Sequence, residues 1–280
     1  MDNGITTGIA VKQSAIRYFD QNSKLWAERY SDPGNGELLW ERHRTILDLI
    51  DEWQLSPSSR IIDVGCGAGF LTFDLARRGL QGVGIDGATS MIETCEAEAG
   101  RAGISERWQY KQADVEQIPY PDHSFDAAIC CGVIEYLPED GELLREVRRV
   151  LRPGGRFLLC VTNKYGYSVR LYPLFQRMKR IPGMIRVATA VRGLSTGRRT
   201  EMMNLPFEAR RHSPAQIRRA LVANGFRFEK DRYSEFTLLP GPLHVFFSKL
   251  ERGVSAKLSR LDRTRLRGLG SCYMVSSRVE

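Results

Sequence analysis

The chain has 280 residues, enough for one large domain with its own core, and 42% of them are hydrophobic while 26% are charged. These values are typical of globular proteins and exclude a fibrous or wholly disordered chain. The formal net charge of +8 suits anionic partners such as nucleic acid, anionic lipid or acidic metabolites, and no apolar run reaches the roughly 18 residues of a membrane-spanning helix.

The N-terminal part, residues 1–57, is predicted to form two helices, over residues 15–30 and 38–53. Its first residues include an early acid and lack the basic-then-apolar order of a secretory signal, so we expect a cytoplasmic protein. The six cysteines show no zinc-ligand spacing and lie mostly in apolar runs, which indicates buried thiols in a reducing compartment.

From residue 58 onward, short apolar runs alternate with helical patterns, which predicts βαβ units and a parallel sheet. The sequence RPGG, residues 152–155, predicts a turn before the fifth strand. The predicted strands are 60–65, 82–86, 108–114, 125–132 and 156–162, and the predicted helices are 68–78, 89–102 and 139–151.

The βα pattern is interrupted by an insertion at residues 163–212 and resumes in a C-terminal segment, residues 213–280. This segment is predicted to contain a helix at 214–224, a strand at 226–236, a second insertion at 240–267 and a strand at 270–279. We expect the two late strands to form an antiparallel pair at one edge of the sheet, since no long helical crossover separates them.

The motif IIDVGCGAGF places Asp63, Gly65, Gly67 and Gly69 between the first strand and the first helix of this pattern. Glycines at such a turn let the backbone bend sharply and approach a ligand closely, although a tight turn without any ligand would show the same residues. A ligand is therefore expected beside the end of the first strand.

Two acids follow at the ends of the next strands. Asp86 lies about twenty residues beyond the glycine turn, where a carboxylate can accept hydrogen bonds from both hydroxyls of a ribose. Asp114, beside the apolar Val115, could accept from the exocyclic amine of adenine. Together these positions indicate an adenosine-containing ligand.

Through DVGCGAG, GVGID, QADVEQIPYPDHSFD and LRPGG, the chain resembles class I S-adenosylmethionine-dependent methyltransferases over about residues 58–162, and more loosely beyond residue 213. The DxGxGxG spacing favours this family over nicotinamide-dependent enzymes. The resemblance implies a Rossmann-like α/β fold: a seven-stranded, mostly parallel sheet with an antiparallel last strand and helices on both faces. It also implies an N-terminal helical lid and two helical insertions.

S-adenosylmethionine is the cofactor that the resemblance implies. Gly65, Cys66 and Gly67 would face its methionine part, and Cys131 and Gly132 would offer backbone groups to the methionine amine, although Cys131 also suits plain core packing. The implied site comprises Asp63, Gly65, Cys66, Gly67, Gly69, Asp86, Gly87, Met91, Asp114, Val115, Cys131 and Gly132, and Tyr18, Tyr30 and Arg44 of the lid could reach the cofactor's carboxylate.

The catalytic candidates are Glu135, Tyr136 and His212. Similar quinone O-methyltransferases often have histidine after the glutamate, and Tyr136 at that position puts a histidine base or metal ligation by the pair in doubt. Glu135 could instead be an acid at a helix entry and Tyr136 a pocket wall. His212 could act as a base or only pack beside the helix start at Ser213 and Pro214.

Both insertions mix apolar and basic residues and would cover the acceptor site, contact an anionic membrane surface, or pack on the main domain or on another subunit of a homo-oligomer. We therefore expect methyl transfer to an apolar or amphipathic small molecule of secondary-metabolite, quinone or lipid biosynthesis, with oxygen favoured over carbon or nitrogen. A nucleic-acid methyltransferase and a non-catalytic cofactor-binding paralogue are the alternatives, and no nucleic-acid partner is expected.

Overall fold

The structure is a computed structural model that describes residues 2–31, 37–171, 173, 207–237 and 257–280, with side chains from residue 8 onward except at 29–31, 37 and 38. Most of the first insertion and the first part of the second, residues 174–206 and 238–256, lie outside the described residues. The side chain of Tyr30 lies outside them too. The division of the chain into the segments 1–57, 58–162, 163–212 and 213–280 stays a prediction.

Seven strands form the sheet. They are Arg60–Val64 (β1), Gln81–Asp86 (β2), Trp108–Gln112 (β3), Phe125–Cys131 (β4), Leu151–Thr162 (β5), Phe226–Ser234 (β6) and Cys272–Val279 (β7).

Helices of the described residues lie before the sheet and between its strands. They are Asp2–Gln21 (α1), Ser23–Ser31 (α2), Glu37–Asp51 (α3), Phe70–Arg77 (α4), Thr89–Ala102 (α5), Gly141–Val150 (α6) and Pro214–Ala223 (α7), with short 3₁₀ helices at Ile134–Tyr136, Ser259–Arg263 and Arg267–Leu269.

The strand order is β3-β2-β1-β4-β5-β7-β6. Strands β1 to β5 pair in parallel, whereas β7 pairs antiparallel with both β5 and β6. The expected Rossmann-like fold with an antiparallel last strand is therefore confirmed. The chain runs outward from β1 to β3 and then returns to the other side of β1 with β4. This reversal leaves a crevice at the carboxyl ends of β1 and β4, where open α/β sheets bind their ligands.

The sheet is buried on both faces, as expected for parallel strands joined by helices. On one face, Leu49 and Ile50 of α3 and Leu75 of α4 pack against the strands. On the other face, Leu144 of α6 and Leu221 of α7 do so. This two-sided core fixes the strand ends from which the site is built.

Two elements differ from the sequence prediction. The N-terminal helix predicted over 15–30 is two helices, α1 and α2, because the Asn22 amide nitrogen Nδ2 donates to the Tyr18 carbonyl oxygen at 2.7 Å and the chain turns there. Strand β5 begins at Leu151 rather than at residue 156, since Leu151 already pairs with Phe125. The predicted RPGG turn is therefore a bulge inside the strand, between the pairs Phe125–Leu151 and Ala127–Arg156.

Candidate active site

A pocket of about 270 Å³ lies at the crevice between the carboxyl ends of β1 and β4. Its lining includes most of the residues expected to hold the cofactor. These are Asp63, Gly65, Cys66, Gly67, Asp86, Gly87, Met91, Asp114, Val115, Cys131 and Gly132. Residues far apart in the sequence thus surround one cavity, as the strand ends predict.

The glycine turn after β1 forms the floor of this pocket. Gly65 and Gly67 have left-handed backbone angles, φ 78° and 54°, which favour glycine. A Cβ at Gly65 would lie 2.2 Å from Cγ2 of Val133, whereas a Cβ at Gly67 would meet no atom within 4 Å. Gly65 is thus required by packing, and Gly67 leaves backbone open for a ligand to approach.

Asp86 is fixed at the end of β2 by backbone donors. Its Oδ2 accepts from the Gly67 amide and its Oδ1 from the Ala88 amide, both at 2.9 Å. Burial raises the pKa of Asp86, although these backbone hydrogen bonds act in the opposite direction. Asp86 therefore joins the glycine turn to the start of α5, with its carboxylate in the pocket lining.

Asp63 is a second buried acid of the pocket, at 3% exposure. Burial, together with the nearby negative charge of Asp86, raises its pKa from 3.8 to about 7. A positively charged ligand at this position would lower that pKa and be stabilised by the carboxylate. The fit to a sulfonium cofactor therefore rests on charge as well as on the open glycine turn.

At the opposite end of the pocket, Lys12 of α1 joins two acids that follow β3. Its Nζ lies 2.7 Å from both carboxylate oxygens of Asp114 and 2.5 Å from Oε2 of Glu116. Burial lowers the pKa of Lys12, but the two carboxylates outweigh it and the pKa is raised. Lys12 and Asp114 line the pocket, whereas Glu116 does not.

Helix α1 contacts the core through one row of residues spaced four apart, Gly8, Lys12, Ile16 and Asp20, which lie on one face of a helix. A Cβ at Gly8 would lie 2.7 Å from the Cα of Pro138, and a Cβ at Gly87 would lie 3.2 Å from Ile16. Asp20 Oδ1 accepts from the Ser90 amide at 2.8 Å, in the first turn of α5. Helix α1 therefore lies along the loops that follow β2, β3 and β4.

Aromatic side chains wall the remaining part of the pocket. The ring centroid of Phe19 lies 5.6 Å from that of Trp26 and 5.5 Å from that of Tyr136. All three residues line the cavity. Phe207, at the end of the first insertion, packs against Tyr136 at 5.5 Å and against Tyr18 at 5.8 Å. The C-terminal end of that insertion is therefore held at the pocket rim.

Glu135 is a buried acid in this wall, at 3% exposure. Its Oε1 accepts from the amide and the hydroxyl of Thr162, at 2.7 and 3.0 Å. Its Oε2 is buried without a hydrogen-bond partner among the described residues. One oxygen thus positions the side chain at the end of β5, and the other is available to a ligand.

Three other sequence candidates lie elsewhere. His212 is buried, with its Nε2 3.1 Å from Oδ1 of Asp140, and does not line the pocket. Gly69 caps the start of α4 and also lies outside the lining. It packs against the core, because a Cβ there would lie 2.9 Å from Sγ of Cys95. The Tyr18 ring packs on Phe19 and Phe207 rather than lining the cavity.

Arg44 is exposed on α3 and does not line the pocket, whereas Arg42 does. Residues two apart in a helix point about 200° away from each other. Arg42 also forms an ion pair with Glu235, Nε to Oε1 at 3.5 Å. Leu39, Ile46 and Ile50 form the apolar face of α3, and Arg42 is three residues from Leu39 and four from Ile46. This spacing could have indicated that Arg42, rather than Arg44, faces inward.

The sequence reasoning also missed Lys12, His43 and Thr162, all of which line the pocket. The His43 Nε2 lies 2.7 Å from Oδ2 of Asp74, and burial lowers the pKa of His43 despite that carboxylate. These side chains come from helices and a strand end without a sequence motif of their own. Only the fold brings them to the cavity.

Comparison with known proteins agrees with this geometry. A family described as a methyltransferase domain matches residues 62–159. These residues contain most of β1, all of β2, β3 and β4, most of β5, the glycine turn, Asp86 and Asp114. Residues 62–159 therefore match a methyltransferase domain, and S-adenosylmethionine is the cofactor of that domain.

The curated relatives include the sterol 4-C-methyltransferase strm-1 of Caenorhabditis elegans, 32% identical over 53% of this chain and 44% of its own length. A ubiquinone biosynthesis O-methyltransferase of Hahella chejuensis is 28% identical over 55% of this chain and 63% of its own length. The chain thus spans about half the length of these relatives.

Among solved structures, magnesium protoporphyrin IX methyltransferase of Synechocystis, with bound S-adenosylhomocysteine, has a TM-score of 0.64. The similarity covers 96% of this chain and 100% of that one, at 17% sequence identity. It supports the fold beyond the region that the domain family matches. Among the described residues, none of the helices is both long and apolar enough to cross a membrane.

Proposed function

We propose that the protein transfers a methyl group from S-adenosylmethionine to an oxygen atom of an apolar or amphipathic small molecule. The observation that carries this proposal is the unpartnered Oε2 of Glu135 in a wall otherwise made of Phe19, Trp26 and Tyr136. Aromatic side chains suit an apolar acceptor, and a carboxylate oxygen among them suits one proton-bearing group on it. The relatives include both O- and C-methyltransferases, so C-methylation is the alternative.

In this proposal, residues at the strand ends would hold the cofactor. Asp86 would bind the ribose hydroxyls, Asp114 and Val115 would contact the adenine, and the backbone at Gly65, Gly67 and Gly132 would contact the methionine part. Arg42 takes the carboxylate-binding role expected of Arg44, because it is the arginine of α3 that lines the pocket. When bound, S-adenosylmethionine supplies a methyl group on a sulfonium, which an acceptor oxygen can attack in line.

Glu135 acts as the acceptor-side base in this reaction. Its Oε2 would take the proton of the acceptor hydroxyl as the oxygen–methyl bond forms and the sulfur–methyl bond breaks, which leaves S-adenosylhomocysteine. Oε1 stays bound to Thr162 and keeps the carboxylate in place. Tyr136 and Phe19 hold the acceptor in position, and most of the rate acceleration then comes from that alignment. His212 has no role in this step, because its ring pairs with Asp140 away from the cavity.

The test is a transfer assay with methyl-labelled cofactor and fractionated apolar metabolites, read by mass spectrometry. Glu135→Gln keeps the size of the side chain and an oxygen for Thr162, so cofactor affinity should stay the same. The turnover number should fall roughly 10²–10⁴-fold, the usual contribution of a positioned base. Glu142→Gln is the matched control, since Glu142 is an exposed acid of α6. Undiminished turnover in Glu135→Gln, or a label on carbon, would contradict base-assisted O-methylation.

The expected peripheral membrane contact belongs to this proposal, because an apolar acceptor is concentrated in the bilayer. The homo-oligomer expected from the sequence also stays a proposal, and size-exclusion chromatography with light scattering would test it. The two amphipathic insertions that first suggested membrane contact lie mostly outside the described residues.

A further inference from the structure

Four large apolar side chains are exposed in two neighbouring loops, one after β5 and one before β7. The exposed fractions are 54% for Tyr165, 37% for Tyr167, 56% for Leu266 and 42% for Leu269. Exposed basic side chains of the same loops are Lys164, Arg170, Arg263 and Arg265. We name these eight side chains the basic-apolar patch. Contiguous exposed apolar groups with a polar rim mark interaction surfaces more often than single exposed residues do.

The two loops are joined by polar and close backbone contacts. The Asn163 side-chain nitrogen donates to the carbonyl oxygens of Gly268 and Gly270, at 2.9 and 2.7 Å. Gly166 packs so closely on the second loop that a Cβ there would lie 2.6 Å from the Cα of Ser271. The basic-apolar patch is therefore one surface carried by two loops held side by side.

The two loops of the patch carry almost no acid of their own. Across residues 163–171 and 257–270, the one acid in the sequence is Asp262. Asp262 is buried, and its carboxylate pairs with Arg232 and accepts from the Tyr233 amide at 2.7 Å. The exposed cations of the patch thus face solvent without a neighbouring carboxylate from these two loops.

The basic-apolar patch lies next to the candidate acceptor site. Thr162 lines the pocket and binds Glu135, and the first loop of the patch starts one residue later at Asn163. Phe207, which contacts Tyr136 of the pocket wall, marks the other end of the insertion that begins in this loop. A surface that bound at the patch would therefore lie beside the pocket wall formed by Thr162, Glu135 and Tyr136.

We propose that the basic-apolar patch binds an anionic lipid bilayer and holds the pocket opening at the membrane surface, so that the acceptor enters from the bilayer. The proposal rests on the proposed function for the apolar nature of that acceptor. Exposed tyrosine and leucine side chains can enter the interfacial region of a bilayer, while arginine and lysine pair with lipid phosphates. Nucleic acid would match the charge but leaves the exposed leucines without a partner.

The experiment is flotation of the full chain with vesicles of phosphatidylcholine alone or of phosphatidylcholine mixed with phosphatidylglycerol. The wild-type protein should float only with the anionic vesicles, and less at higher salt. Tyr165→Ser/Leu266→Ser and Lys164→Glu/Arg265→Glu should each weaken vesicle binding at least about tenfold. The matched controls, Val222→Ser on α7 and Lys111→Glu on β3, remove an exposed apolar and an exposed basic side chain far from the patch and should float like the wild type.

Calorimetry with S-adenosylmethionine on every variant separates this proposal from the proposed function. Intact cofactor binding without flotation would overturn the membrane surface alone, whereas wild-type protein that binds no cofactor would overturn the methyltransferase proposal. Equal loss of flotation in the patch and control variants would also overturn the patch. So would patch-dependent binding of an RNA oligonucleotide that is tighter than binding to the vesicles.

Discussion

The charge state of two acids at the pocket floor, Asp63 and Asp86, affects how tightly a cationic cofactor can bind. Asp63 and Asp86 are both buried enough for their pKa values to be raised, and the charge of Asp86 adds to the effect on Asp63. For Asp63 the value is about 7. A cationic ligand beside Asp63 therefore binds more tightly when the Asp63 carboxyl is ionised. Without a ligand, that carboxyl is fully ionised only well above pH 7.

We expect the affinity for S-adenosylmethionine to rise between pH 6 and pH 8 and binding near pH 7 to release a proton, because bound positive charge lowers the pKa of Asp63. Calorimetry in buffers of different ionisation enthalpy measures that proton. Asp63→Asn cannot ionise and should bind the cofactor with a flatter pH profile. An unchanged slope in this variant would assign the proton to another group.

The same shift predicts a change in folding stability with the opposite dependence on pH. Because the folded-state pKa of Asp63 lies above its ordinary value of 3.8, its ionisation opposes folding. That penalty is absent below about pH 4 and fully present above about pH 7. Without cofactor, Asp63→Asn should therefore unfold at a higher temperature than wild type at pH 8, and with little difference at pH 4.

For single residues, the sequence predicted which ones lie at the strand ends better than it predicted their side-chain partners and directions. The glycine turn and the strand ends fixed Asp86 and Asp114, since strand ends meet at one edge of a parallel sheet. Nothing in the sequence indicated that Asp114 would bind Lys12, about a hundred residues earlier in the chain. The choice between Arg42 and Arg44 depends on the rotation of α3, which the apolar positions Leu39, Ile46 and Ile50 indicate only when they are treated as one helical face.

At the scale of elements, α1 is the helix that contacts Asp114, the residue proposed to face the adenine. Lys12 anchors it to Asp114 and Glu116, and Asp20 anchors it to the first turn of α5. Lys12 and Glu116 are mostly buried, with side-chain exposures of 18% and 15%. The ion pair is therefore less screened than a surface pair and holds α1 near the site of the cofactor.

A double-mutant cycle tests this coupling. Lys12→Met and Glu116→Gln should each weaken cofactor binding about three- to tenfold, or ~1 kcal/mol, mainly through faster dissociation. The double variant should lose no more than Lys12→Met alone, because both changes remove one interaction. Glu116 does not line the pocket, so its effect has to act through α1.

Lys24→Met is the control for the cycle, as it removes an exposed charge from the neighbouring helix α2. Its cofactor affinity should match that of the wild type. Additive losses in Lys12→Met and Glu116→Gln would show that the two side chains act separately. In that case α1 would not be held through their ion pair.

Element boundaries show where local sequence signals and tertiary pairing diverge. Proline and two glycines predicted a turn at residues 152–155, and the chain does bulge there, but the pairing of Leu151 with Phe125 continues the strand on the far side. The helical pattern over 15–30 gave no sign of the turn at Asn22. That turn depends on the side chain and the backbone amide of Asn22, which both donate to the Tyr18 carbonyl oxygen. Strand pairing and capping contacts of this kind have no periodic signal.

At the scale of the whole molecule, the pocket is where separate parts of the chain meet. Its lining comes from the helices α1 to α5, from the loops that follow β1, β2, β3 and β4, and from the end of β5. A bound cofactor therefore stabilises contacts among nearly all the elements that precede the first insertion. Ligand binding and global stability are coupled through this arrangement.

Thermal unfolding should show that coupling directly. At a cofactor concentration of 100 Kd, binding adds ~2.7 kcal/mol to the free energy of unfolding. For a chain of this size that corresponds to a rise of about 5–10 °C in Tm. Asp86→Ala should lose most of the shift, because it removes the proposed ribose acceptor and the contact to Gly67. A full shift in this variant would remove Asp86 from the cofactor site.

The position of β7 has a consequence for synthesis on the ribosome. It is made after β6 but lies between β5 and β6, so β6 has no neighbour in the sheet until β7 emerges. About 110 residues separate the end of β5 from the start of β7. At 5–20 residues per second, β5 keeps an open edge for roughly 5–20 s. During that interval the nascent chain already contains every residue of the glycine turn and depends on late strand insertion to close its sheet.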